Sequence, residues 1–205
     1  MLSSNFTEII QEYIYPLPWI IFGLVFHEFC HAWVSNRLGD PLPGQQGRLT
    51  LNPLKHLDPI GLLAIILLRF GWAKPVQINP RYYKNPLRDT VWVSLAGPVG
   101  NFILAIIFTI IIRVMVNFYI EQRLLNYFIL GLFYMLALGF FNLIPIPPLD
   151  GSKILRYFLR GSVGYQYDRL EPYGIFILLI LLLFTGLPDL LSQFINVLIP
   201  LLVAR

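Results

Sequence analysis

Charge is scarce in this chain. Only 13% of its 205 residues are Asp, Glu, Lys or Arg, against 57% hydrophobic. A soluble domain carries about 25% charged and about 45–50% apolar residues. A core of this size cannot hide the excess, so lipid must solvate much of the surface. Cysteine is nearly absent: Cys30 stands alone, which excludes an internal disulfide and leaves the redox compartment open. No Lys or Arg precedes Arg37, so the basic start of a cleavable secretory signal is missing and the first apolar run is expected to be retained. The 15 bases exceed the 11 acids by four but are spread over several loops. Without a basic run, that excess describes membrane topology and no nucleic-acid surface. No repeat and no Gly- or Ser-rich linker divides the chain. Residues 1–205 read as one membrane domain.

The apolar runs set the expected architecture. Residues 16–38 are long enough to span at ~1.5 Å per residue, and Gly39-Asp40-Pro41 stops them. Residues 90–119 and 124–144 are two further spans, joined through Glu121-Gln122-Arg123. A proline-rich loop, Asn142 to Gly151, forbids continued helix, and Ser152–Arg160 reads as a short amphipathic helix. Residues 173–186 and 190–203 supply two closing spans around the Gly186-Leu187-Pro188-Asp189 turn. The fold class is therefore an all-α polytopic membrane bundle of about five spanning helices. Between the first two spans, residues 44–80 form a re-entrant segment with a short β element. Gly71–Asn79 is a candidate edge strand there, able to pair with an unwound substrate, or else an interfacial loop. Trp72 beside Lys74 suits the membrane interface.

Inside the first run lies His27-Glu28-Phe29-Cys30-His31. Residues i and i+4 share one helix face, so both imidazoles can reach one Zn²⁺. Glu28 can then take a proton from water activated by the metal, whose pKa falls to about 7. Three ionisable groups amid an apolar span cost at least ~2.5–3.5 kcal/mol per central charge, which argues for a function over a polar packing patch. A catalytic zinc site normally has three protein ligands, and the rest of this helix offers none. Asp40, Asp58, Asp89, Glu121, Asp168, Glu171 and Asp189 are expected in polar loops, whereas Asp150 sits in an apolar, proline-rich setting. Asp150 is either the third ligand or the cap of the following helix. Cys30 reads as core filler and His56 as solvated. Asn142 is either a partner for substrate backbone or oxyanion or a helix-end residue. Gly97 and Gly100 permit close helix packing, and Asn101 can support the site from behind.

The chain resembles the site-2 protease family of intramembrane zinc metalloproteases. The resemblance rests on His27-Glu28-Phe29-Cys30-His31, on Ala96-Gly97-Pro98-Val99-Gly100-Asn101 and on Asn142-Leu143-Ile144-Pro145-Ile146-Pro147-Pro148-Leu149-Asp150-Gly151, in that order. It implies one zinc per chain, Asp150 as third ligand, Glu28 as base, and a substrate-holding role for Asn142 and its proline loop, including Pro147. It resembles the short members without PDZ or CBS domains. The expected function is hydrolysis of peptide bonds in transmembrane or membrane-adjacent segments; the rivals are a metal-ion transporter, which needs polar groups on several helices along the bilayer, and a silent membrane adaptor. The eleven residues Ile60–Phe70 are too short to cross ~30 Å of hydrocarbon. Keeping them re-entrant collects all loop bases but Arg123 on one face, which makes that face cytoplasmic, in a multi-pass plasma-membrane protein with its C-terminus inside.

Overall fold

The computed structural model describes residues 14–68 and 73–204. The start of the chain, the end of the 60–70 run and Trp72 therefore lie outside the described residues. Three helices dominate: α1 (Leu17–Arg37), α5 (Pro86–Asn117) and α6 (Gln122–Asn142). Each is long and apolar enough to cross a membrane. Helix α1 starts where the Pro16 carbonyl accepts from Trp19 and Ile20 and ends at Gly39. There a φ of +106° reverses the chain, a conformation that disfavours any residue with a Cβ. Helix α5 opens with Pro86 at its first position, and the buried Asp89 carboxylate accepts from the Asn85 amide at 3.0 Å. Pro98 lies inside it and withholds one helical donor.

Helix α5 packs against both α1 and α6. Their shared core is Leu104, Ala105, Phe108, Ile112, Leu132, Met135 and Leu136, joined by Ile195 from the last helix. The opposite face of α5 exposes Ile103, Ile106, Ile107 and Ile110, an apolar stripe that only lipid solvates well.

Short helices α2 (Leu42–Gln45), α3 (Pro53–His56) and α4 (Pro59–Leu68) fill the region between α1 and α5. The expected β element is reduced to a single antiparallel bridge, Leu57 with Ala73. Among the described residues no ladder extends from it: Pro75 has no N–H to give and Arg48 donates to the Lys74 and Pro75 carbonyls. The bridge still fixes the path of the chain, since α4 leaves and returns at one point.

After α6 come α7 (Asp150–Phe158), α8 (Gly161–Asp168), α9 (Gly174–Phe184) and α10 (Leu187–Val203). The expected five spans are not present among the described residues. There are three, or four if the stretch Gly161–Phe184 and α10, bent by 69° to each other, form one broken span. Helix α9 has 11 residues, about 16 Å at helical rise, too short to cross alone. At the far end of α10, Arg113 Nε donates to the Leu202 carbonyl at 2.9 Å. The last turn of α10 therefore sits beside the last turn of α5, at the end of the bundle opposite the α1–α2 junction.

Candidate metal centre

The helical spacing sets His27 and His31 one above the other on the face of α1 that meets α5. Their Nε2 atoms are 2.9 Å apart. Asp150 arrives from the first residue of α7, after the proline loop, and its Oδ2 lies 3.0 Å from His27 Nε2 and 3.1 Å from His31 Nε2. All three residues are buried, His27 at 3% and Asp150 at 6% exposure. The capping alternative for Asp150 fails here: Leu149 holds the cap position and no side-chain cap bond is made. Among the described residues these three form the one group of His, Cys, Asp or Glu able to hold a metal ion. Cys30 is not in it, and packs instead against Gly100.

Helix α5 builds the back wall. A Cβ on Gly97 would meet both imidazoles at 2.5 Å, so glycine there is what lets α5 pass the site. The Val93 carbonyl lies 2.6 Å from His31 Nδ1; a carbonyl only accepts, so Nδ1 carries the proton and Nε2 points at Asp150. His27 Nδ1 lies 3.2 Å from the Asn101 amide nitrogen, while the buried Asn101 Oδ1 has no partner among the described residues. The two amide atoms are distinguished only by their surroundings. Turning the amide gives Oδ1 a donor in His27 Nδ1–H and leaves His27 Nε2 free as well. Two ring lone pairs and a carboxylate then converge with no donor among them, which is the arrangement a cation requires.

Burial alone would raise the Asp150 carboxyl, but His31 and His27 beside it hold it well below the usual carboxylate range. Replacing Asn101 by Leu is expected to weaken zinc affinity about 10- to 100-fold, as loss of such supporting partners typically does. Asp at 101 keeps the acceptor and should hold affinity near the wild-type value. Titration against a chromophoric chelator reads both.

Glu28 is half-buried and lines the same cavity, of about 120 Å³, with Pro75, Val76, Ile78, Asn142, Pro148 and Lys153. Its Oε2 accepts from the Val76 amide at 3.0 Å. Asn142 reaches the cavity, yet its amide nitrogen donates to the Leu138 carbonyl one turn back at 2.9 Å. Pro147 is turned away: its carbonyl backs onto Gly174 at the start of α9, and Pro148 takes the place at the cavity.

Comparison with known proteins identifies the family. The model of peptidase family M50 matches residues 113–185. YwhC of Bacillus subtilis, whose name is that of a zinc metalloprotease, is 39% identical over 180 residues, covering 82% of this chain and 82% of YwhC. The chain belongs to peptidase family M50. As a member of this site-2 protease family it is a zinc metalloprotease and an integral membrane protein. Rip2 of Mycolicibacterium smegmatis, likewise named a zinc metalloprotease, is 31% identical over 169 residues, 80% of this chain and 64% of Rip2. MJ0611 of Methanocaldococcus jannaschii, named in the same way, is 32% identical over 147 residues, 69% of this chain and 70% of its own. No solved structure matches.

Several residues that the sequence places in polar or solvated loops are buried. His56 is fully enclosed, with its Nε2 donating to the Thr50 carbonyl at 2.8 Å. Asp40, Asp89 and Arg48 are buried too. Arg48 and Asp40 meet chain segments 26 and 39 residues away, which no local pattern reveals.

Proposed function

We propose that this M50 peptidase cuts peptide bonds within transmembrane or membrane-adjacent segments of its substrates, with His27, His31 and Asp150 holding one zinc and Glu28 serving as general base. The observation that carries this reading is the convergence of three metal-binding atoms beside Glu28 in a cavity below the membrane surface. His27 lies ten residues before the end of α1, about 15 Å at helical rise, and so within hydrocarbon depth. When bound, zinc supplies a Lewis acid that polarises the scissile carbonyl and acidifies water. Glu28 takes the proton from that water and returns it to the leaving amine. The buried Val93 and the partly buried Ile78 wall the cavity and limit other water. A helical substrate hides its carbonyls in internal hydrogen bonds, so it must unwind locally before it enters.

The proposed topology puts the site toward the cytoplasm of the plasma membrane. The Leu57–Ala73 bridge supports a re-entrant α4, because a segment that starts and ends at one point crosses zero times. Arg37, Arg48, Lys55, Lys74, Arg81, Lys84, Arg88, Lys153, Arg156, Arg160 and Arg169 then share one face, which the positive-inside bias makes cytoplasmic. For the exit we infer that the stretch Gly161–Phe184 and α10 make one broken crossing and that the C-terminus emerges outside, a reading supported by the contact of Arg113 with Leu202. Single cysteines at the exposed Gln45 and Gln77 should label from the cytoplasmic side, and a C-terminal tag from the other. Labelling of Gln45 and Gln77 from opposite sides would overturn the re-entrant reading.

The purified protein in lipid nanodiscs should carry zinc and cleave a model transmembrane peptide, with cleavage lost on chelation and restored by zinc. Zinc flux into sealed proteoliposomes without cleavage would favour a transporter instead.

A further inference from the structure

Between α4 and the turn Pro80–Tyr82, residues 73–79 cross the mouth of the metal cavity as a strap outside any helix or sheet ladder. Pro75, Val76 and Ile78 line the cavity, and the Val76 amide is the group that meets Glu28. A strap with one bridge at its base, Lys74 N donating to His56 O at 2.7 Å, has little of its own to hold it still. Two buried ionised side chains grip it on either side of Val76. On one side, Arg48 Nη1 donates to the carbonyls of Lys55 at 2.5 Å and Lys74 at 3.2 Å, and Nη2 to Pro75 at 3.4 Å. On the other, Asp40 Oδ2 accepts from the Asn79 amide at 2.7 Å and from Ser35 Oγ at 3.0 Å. Asp40 Oδ1 accepts from the Leu42 amide at 3.0 Å, and Ser35 Oγ lies 2.7 Å from the Tyr83 hydroxyl. Neither charge meets an opposite charge among the described residues. Burying unpaired ions is costly, and here the return on both is the same: a fixed backbone around residue 76.

We propose that Arg48 and Asp40 are positioning residues for proteolysis, holding the strap so that the Val76 amide orients the Glu28 carboxylate as base. The inference rests on Glu28 having that role. A glutamate side chain has three rotatable bonds, and this one stands one residue from His27 and three from His31. With one oxygen fixed on Val76, the other is kept for water and the carboxylate is kept off the metal. Released, it loses the near-attack geometry on which proton transfer depends.

The test uses the full chain in nanodiscs with a transmembrane peptide substrate. Val76→Pro deletes the amide donor, with Val76→Ala as the control for the lost side chain, and Arg48→Met and Asp40→Asn release the strap at either end. Each apart from the control is expected to lower kcat about 10- to 100-fold, with KM and zinc content near wild type. In a Glu28→Gln background the same changes should cost nothing more, since all act through Glu28. Hydrogen exchange at the Val76 amide, expected to rise about tenfold or more in Glu28→Ala and Arg48→Met, reads the contact without turnover. An unchanged kcat in Val76→Pro, a loss confined to KM, lost zinc, or an additive loss on Glu28→Gln would each overturn the proposal. A wild-type protein that cleaves nothing, while its Val76 amide is protected through Glu28, would instead refute the proteolytic reading alone. Should Arg48→Met fail to fold, Val76→Pro still decides.

Discussion

Replacing Glu28 by Gln lowers peptide hydrolysis about 10²–10⁴-fold and leaves zinc in place, the expected signature of a lost general base. The separation of the two effects follows from where Glu28 stands. The three atoms that converge on one point come from His27, His31 and Asp150, while the Glu28 carboxylate faces the cavity and accepts from Val76. Glutamine has nearly the same shape and can still accept that hydrogen bond through its amide oxygen, so the strap and the histidines have no reason to move. What disappears is the ability to take a proton from water. Zinc content by mass spectrometry of metals, measured beside cleavage of a transmembrane peptide, checks both halves. A variant that keeps more than about a tenth of wild-type turnover has a different base.

Asp150→Ala is expected to act on the metal itself. Loss of a partner that merely supports a ligand costs about 10- to 100-fold in metal affinity, and a direct ligand should exceed that. Removal also changes the local charge. Lys153 Nζ lies 3.8 Å from Asp150 Oδ1; with the carboxylate gone, the ammonium stands uncompensated at the cavity and repels a divalent cation. Zinc occupancy and cleavage should therefore fall together, with helicity retained because Leu149 holds the cap position of α7 and no side-chain cap bond is lost. Unchanged metal content in Asp150→Ala would move the third ligand elsewhere.

How these residues come together was partly written in the chain. The pairing of His27 with His31 is a property of one helix turn, which repeats whatever the helix packs against. The three long spans follow from hydropathy and length, and the proline loop before Asp150 follows from prolines that cannot continue a helix. The approach of α5 was foreshadowed by Gly97 and Gly100, since small residues mark close helix contacts. The closing apolar runs form helices as expected, but hydropathy measures how much apolar chain there is, and not which way it runs after a bend. The direction of α10 is decided by Arg113 and Leu202, 89 positions apart.

The sequence by itself determined the reactive groups, their helical phase and the lipid-facing character of the bundle, because each depends on neighbours within about a turn or on composition alone. Only the tertiary structure decided what surrounds those groups. That Asp150 reaches histidines 119 and 123 positions away, that Val93 and Asn101 stand behind them, and that Arg48 and Asp40 are buried as grips on the strap are all long-range contacts. A charged residue in a polar-looking segment gives no local sign of whether distant chain will cover it. Its desolvation, and with it its role, exists only once the helices have packed.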